Sequence, residues 1–218
     1  MKLDLSLYVL IDPDQTFGFD PVALARAAAS GGATVIQLRD KGGAIRRTIA
    51  LAAALKAALA PMGVPLLVND RVDIAAAAGA DGVHLGQDDI EPALARRLLG
   101  PRAIIGQTVK SAAHVAAVPL GAVDYVAVGG VFATLSKTNP DPPLGLGGLA
   151  ARIAELRARK AALPIAAIAG IDAANAGSVI AAGADGVALI SAIAKASDPA
   201  AAAAAVRRAV DRARETAP

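Results

Sequence analysis

The sequence predicts an α/β fold, a single (β/α)8 barrel of the TIM type over residues 1–218, on three observations. Short apolar strand-like runs alternate with stretches of helical composition along the whole chain, which argues for a parallel sheet. Seven of the runs end in glycine, amide, hydroxyl or charged residues, and chemistry gathered at one end of parallel strands is how such a barrel carries its active site. The segment Ala78-Gly79-Ala80-Asp81-Gly82-Val83 recurs as Ala182-Gly183-Ala184-Asp185-Gly186-Val187, an offset of 104 residues, as expected of repeated units that close on themselves.

The predicted strands are 7–11, 34–38, 65–68, 82–85, 103–105, 123–128, 164–168 and 186–190. Each is apolar without polar alternation, the signature of strands covered on both faces. The predicted helices are 22–30, 44–60, 72–78, 92–99, 112–118, 149–161, 173–182 and 199–216. Glycines at 31–32, 79, 121 and 183 occupy the slot between a helix and the next strand, where a left-handed residue ends a helix. One connection is unusual: 132–148 contains Pro140, Pro142, Pro143, Gly145, Gly147 and Gly148. A loop this long is functional or disordered, and its place after strand six favours an active-site loop. An open doubly wound sheet is the runner-up architecture, and eight strands are too many for its flavodoxin-like form.

A barrel of this kind fills roughly 200–250 residues as one domain. Cysteine is absent, which excludes disulfides, thiolate nucleophiles and cysteine metal sites. Mean hydropathy is +0.51, but alanine supplies most of it. No stretch free of Asp, Glu, Lys and Arg is longer than 111–123, too short to span a bilayer. Asp4 interrupts the first apolar run, so no signal peptide is expected and the cytoplasm is the expected location. Net charge is +3, and aromatics are 2% of the chain, too few for base-stacking platforms. The expected partners are small anionic ligands, with no nucleic acid and no membrane; oligomeric state is left open, a homo-oligomer included.

Five clusters could carry chemistry. Gln37, Arg39 and Lys41 follow strand two; guanidinium and ammonium groups suit phosphate oxygens, although Arg39 could instead pair with Asp40. Asn69-Asp70-Arg71 follows strand three, and Asp88-Asp89 with Glu91 and Pro92 follows strand four. Each aspartate could be a helix N-cap. Adjacent strands would nevertheless bring two carboxylates to one rim, and like charges held together call for a cation. Hard oxygen ligands plus phosphate oxygens suit Mg²⁺. Thr134, Ser136 and Lys137 lie in the long loop, and Gly170 and Ile190-Ser191 follow strands seven and eight, where barrels catch phosphate with backbone amides. His84 reads as a packed, hydrogen-bonded strand residue and His114 as an ordinary helix residue; neither suggests a triad. The residues thus describe two anion sites at one mouth, one for a metal-bound diphosphate and one for a monophosphate.

Gln37-Leu38-Arg39-Asp40-Lys41, Asn69-Asp70-Arg71, the 79–89 segment, Gly129 to Lys137 and Ala188 to Ile193 together resemble the motifs of the thiamine-phosphate synthase family. The resemblance implies a Mg²⁺-dependent transferase of thiamine biosynthesis, joining hydroxymethylpyrimidine diphosphate to thiazole phosphate. It implies that Gln37, Arg39, Lys41, Asn69, Thr108 and Lys137 hold the pyrimidine diphosphate, and that Asp70 and Asp89 hold the metal. Thr134, Ser136, Gly170, Ile190 and Ser191 would hold the thiazole phosphate. Arg39, Lys41 and Lys137 would stabilise charge on the departing diphosphate. The chain departs from the family pattern at Thr108 and Ser136, where the hydroxyl is kept, and at Lys110, Gly130 and Ala169, which replace a common histidine, proline and glycine. A related thiazole tautomerase and a non-catalytic phosphate sensor are the alternatives; the paired aspartates and the absence of a histidine at Lys110 argue against the first, and Asp70, Asp89, Lys41 and Lys137 against the second.

Overall fold

The computed structural model describes residues 3–134, 136 and 142–216. Eight parallel strands close into a barrel in sequence order, with β8 paired back to β1. They are β1 (Leu7–Ile11), β2 (Val35–Leu38), β3 (Leu66–Asn69), β4 (Gly82–Leu85), β5 (Ile104–Val109), β6 (Tyr125–Gly129), β7 (Ile165–Ile168) and β8 (Gly186–Leu189). The helices are α1 (Pro21–Ser30), α2 (Ile45–Leu59), α3 (Val72–Ala78), α4 (Pro92–Leu99), α5 (Ala112–Ala117), α6 (Gly145–Arg159), α7 (Ala176–Ala181), α8 (Ser191–Ala194) and α9 (Pro199–Glu215).

Two apolar layers explain why the strands show no alternation. Leu7, Val9, Ile36, Leu38, Val83, Val126 and Val187 face the helices in the large outer core. Tyr8, Leu10, Val35, Leu67, Tyr125, Ala127, Ala166 and Ala188 fill the barrel interior. Successive side chains of a strand point to opposite faces, so both faces had to be apolar. Where bulk is scarce the interior is fitted closely: a Cβ at Gly106 would overlap the Tyr125 ring.

The half-length echo has a structural cause. The residue just before each even-numbered strand accepts a hydrogen bond from the first or second N–H of the odd-numbered strand before it. Thr34 Oγ1 accepts from Leu7 N at 3.2 Å, Asp81 Oδ2 from Leu66 N at 2.8 Å, Asp124 Oδ2 from Ile105 N at 2.7 Å and Asp185 Oδ2 from Ile165 N at 2.7 Å. The three aspartates are held in turn by Lys56 of α2, Arg96 of α4 and Arg157 of α6, each at 2.6 Å. This ring lies at the N-terminal end of the barrel, opposite the chemistry.

Several boundaries differ from expectation, among them the start of α7 at Ala176 rather than 173, and three of the differences bear on the mouth of the barrel. β5 runs on to Val109, so Gln107 and Thr108 lie in the strand rather than after it. α6 begins at Gly145, four residues earlier than composition suggested, which shortens the long connection. Its ends are pinned, because Leu144 N donates to Gly130 O at 2.8 Å and Gly145 N to Val131 O at 2.9 Å. Finally, the four-residue α8 starts at Ser191.

Candidate active site

The C-terminal ends of the strands carry the predicted residues in two groups. On the β2–β4 side, Arg39 Nη1 pairs with Asp12 Oδ2 at 2.5 Å. The alternative partner Asp40 is occupied elsewhere, accepting from Gly43 N at 2.7 Å and Thr48 Oγ1 at 2.8 Å. Asp12 follows β1 and is only 4% exposed. Lys41, largely exposed, places Nζ 2.9 Å from Asp70 Oδ2.

Neither Asp70 nor Asp89 caps a helix. Arg71 holds the N-cap position of α3 and Glu91 that of α4, and neither makes a side-chain cap bond. Asp70 instead sits at φ +63°, a left-handed conformation uncommon outside glycine. Asp89 turns back so that Oδ2 accepts from Gly86 N at 2.6 Å. Burial and the neighbouring Asp70 carboxyl push the Asp89 pKa upward, against the pull of the Gly86 amide and Lys41. A pair of carboxylates that resist sharing negative charge is a site that a cation relieves. Among the described residues no group of three or more His, Asp or Glu side chains is placed to hold a metal ion. Two carboxylates without a full protein cage are the donor set that fits Mg²⁺ completed by phosphate oxygens.

On the β6–β8 side, Thr134, Ser136, Gly170, Ile190 and Ser191 line one open cavity, together with Ile168, Ala169 and Ile171. Ser136 Oγ donates to Ser191 Oγ at 3.0 Å, and Ser136 N donates to Thr134 Oγ1 at 3.2 Å. Gly170 has φ +64°, and a Cβ there would meet the Ala133 carbonyl oxygen at 2.5 Å and Phe132 Cβ at 2.7 Å. A side chain at Gly170 would therefore displace the loop after β6 as well as crowd a phosphate. Ala169 adopts φ +98°, which accounts for the glycine common at that position and leaves strain on the alanine. Gly130 adopts φ +77°, a conformation closed to the common proline, whose ring fixes φ near −65°.

Between the two groups, inside the barrel, lies a buried polar chain. Gln37 Nε2 donates to the Tyr8 hydroxyl. Tyr8 and Tyr125 hydroxyls are 2.9 Å apart, Tyr125 OH meets His84 Nδ1 at 2.8 Å, and His84 Nε2 meets Thr108 Oγ1 at 2.7 Å. His84 is thus the packed, hydrogen-bonded residue expected. Burial pushes the pKa of both tyrosines well up, so both phenols stay protonated. The Gln37 Oε1 is buried without a partner among the described residues. Lys137 lies outside the described residues. Asp12, Gln15, Tyr8 and Tyr125 are residues that sequence reasoning missed; the only signal was that both tyrosines of the chain fall in predicted strands, while Asp12-Pro13-Asp14-Gln15 reads as a turn.

A family model described as thiamine monophosphate synthase matches residues 7–193, from the first residue of β1 into α8. The chain belongs to the thiamine monophosphate synthase family. Within that family it is similar to a protein named thiamine-phosphate synthase from Agrobacterium fabrum, 48% identical over 188 residues, 86% of each chain. It is also 48% identical over 186 residues to one of the same name from Xanthobacter autotrophicus, covering 85% of this chain and 86% of the other. Among solved structures, a thiamine phosphate pyrophosphorylase from Pyrococcus furiosus superposes with a TM-score of 0.84 at 32% identity, covering 97% of this chain and 98% of that one. The match to the thiamine monophosphate synthase family thus covers all eight strands and both halves of the mouth.

Proposed function

We propose that this chain is a transferase that condenses 4-amino-2-methyl-5-hydroxymethylpyrimidine diphosphate with thiazole phosphate, giving thiamine phosphate and diphosphate. The observation that carries the reading is the division of one mouth. Asp70 and Asp89, with Lys41 on Asp70, and Arg39 held by Asp12 follow β1 to β4, while a cavity built from hydroxyls and the Gly170 and Ser191 backbone follows β6 to β8. A diphosphate that needs a metal and a monophosphate that does not are the two anions such a mouth separates. The isomerase and sensor readings draw on no observation beyond the fold.

Asp70 and Asp89 would hold Mg²⁺. Bound there, the metal supplies charge neutralisation at the diphosphate oxygens. Arg39 and Lys41, with Lys137 from the loop after β6, hold the diphosphate and meet the negative charge that grows as its bond to the pyrimidine methylene breaks. Fixed cations already in place need no reorganisation at that moment, which is the origin of their rate effect. Departure of diphosphate leaves a pyrimidine-methyl cation, and the thiazole nitrogen captures it with its lone pair, forming the new C–N bond. That nitrogen carries no proton, so no general base is required. Asn69 and Thr108 would flank the pyrimidine side together with Gln37, whose Oε1 is buried without a partner among the described residues. Thr134, Ser136, Gly170, Ile190 and Ser191 hold the thiazole phosphate across the mouth. Among the described residues no helix is long and apolar enough to cross a membrane, and a cytoplasmic location suits substrates of this kind.

The test is direct. Purified protein given both substrates and Mg²⁺ should release pyrophosphate and form thiamine phosphate in equal amounts. Omission of either substrate, or chelation of the metal, should stop both. Turnover unaffected by chelation would remove the metal assignment, and absence of product under all conditions would remove the activity.

A further inference from the structure

Two groups outside every assignment above tie the halves of the mouth together. The 3-10 turn Pro13–Gln15 follows β1. There Gln15 Nε2 donates to Asp12 Oδ2 at 2.8 Å and to the Ser136 carbonyl oxygen at 2.9 Å. The same Asp12 Oδ2 accepts from Arg39 Nη1 at 2.5 Å. From Ser136 the path continues through its Oγ to Ser191 Oγ at 3.0 Å. A single buried carboxylate therefore anchors the guanidinium of one anion site and, through one carboxamide, the backbone of the other. We propose that Gln15 is a positioning residue: it fastens Ser136 to Asp12 so that the Ser136 hydroxyl stays against Ser191 in the phosphate cavity.

Sequence distance makes the contact informative. Gln15 and Ser136 are 121 residues apart, and the contact is part-buried. Ser136 lies in a connection whose ends are pinned at Gly130–Leu144 and Val131–Gly145, and the Gln15 bond fastens its interior. Asp12 alone would serve as the cap of its own turn, accepting from Asp14 N at 3.1 Å; a cap needs neither burial nor a guanidinium partner. A carboxamide is suited to the role because its NH₂ has two donors, one for the carboxylate and one for the carbonyl.

The proposal rests on the assignment of the Ser136–Ser191 cavity to the thiazole phosphate. Gln15→Leu keeps similar bulk and removes both donors. Its KM for thiazole phosphate should rise roughly three- to tenfold, the worth of one net hydrogen bond, with a smaller change in kcat and in the KM for the pyrimidine diphosphate. Because Gln15 acts through Ser136, the same change on a Ser136→Ala background should cost markedly less. Titration of inorganic phosphate, followed by NMR of the Ser191 amide, should show weaker binding in Gln15→Leu than in the unaltered chain. Equal effects on both KM values, full additivity with Ser136→Ala, or unchanged phosphate binding would overturn the proposal. Should the unaltered chain form no thiamine phosphate, the functional reading falls, and the phosphate titration still decides the role of Gln15.

Discussion

At the scale of single residues, backbone geometry separates function from local structure. Asp70 could have been a helix cap, but it holds a left-handed conformation beside Asp89 and 2.9 Å from Lys41 while Arg71 takes the cap position. Asp70→Asn should lower kcat by on the order of 10²–10³, the typical loss of a preorganised electrostatic group, and leave the thermal unfolding midpoint within a few degrees. A near-normal rate with Mg²⁺ dependence intact would return Asp70 to a structural role. Ala169 presents the converse, a strained residue whose side chain has no chemistry to offer. Its φ of +98° is ordinary for glycine and costs another residue roughly 1–3 kcal/mol. Ala169→Gly should therefore stabilise the fold by about 1 kcal/mol once the larger freedom of unfolded glycine is offset. Urea unfolding would measure it, and a destabilised variant would show that the strain is absent.

At the scale of elements, much of the barrel was legible and the reasons are physical. Strands buried on both faces have no choice but to be apolar, so all eight were readable as runs, and the residues after them as a rim. The end of β5 was not readable, because it leaves that regime: Thr108 turns inward to His84, and Gln107, by alternation, turns outward, which looks like a polar loop. α8 is four residues long, too short for any periodicity. Asp12 and Gln15 were hidden because a turn uses the same residue types, and their partners, Arg39 and Ser136, are remote in sequence. The echo of Asp81 and Asp185 was visible, but its meaning lay in the N–H groups of Leu66 and Ile165, which sequence cannot pair. That pairing carries a prediction of its own. Asp185→Ala would leave the buried Ile165 N–H without its side-chain acceptor and remove the carboxylate that pairs with Arg157, which keeps its bonds to the Ala161 and Leu163 carbonyls. The loss should be about 1–3 kcal/mol, set by the orphaned donor rather than by the half-exposed ion pair. Chemical denaturation should show it with activity per folded molecule retained; a change under about 0.5 kcal/mol, the scatter of ordinary surface substitutions, would remove the ring at the barrel's base from the account of its stability.

At the scale of the whole molecule, the barrel separates its duties between its two ends and then again across one of them. The base is held by the even-strand ring. The mouth is split between cations with carboxylates after β2 to β4 and hydroxyls with amides after β6 to β8. Asp12 and Gln15 span the split. Full charges on Arg39 and Lys41 are screened by salt more than the partial charges of amides and hydroxyls, so the two substrates should differ in ionic-strength dependence as well as in location. The most direct test is steady-state kinetics with each substrate varied in turn, on Lys41→Ala and Ser191→Ala, at low and high salt. The expected result is a crossed pattern: Lys41→Ala raises the KM for the pyrimidine diphosphate and blunts its salt dependence, and Ser191→Ala raises the KM for thiazole phosphate with little change in salt response. Both variants raising the same KM, or each raising the KM assigned to the other, would contradict the division of the mouth.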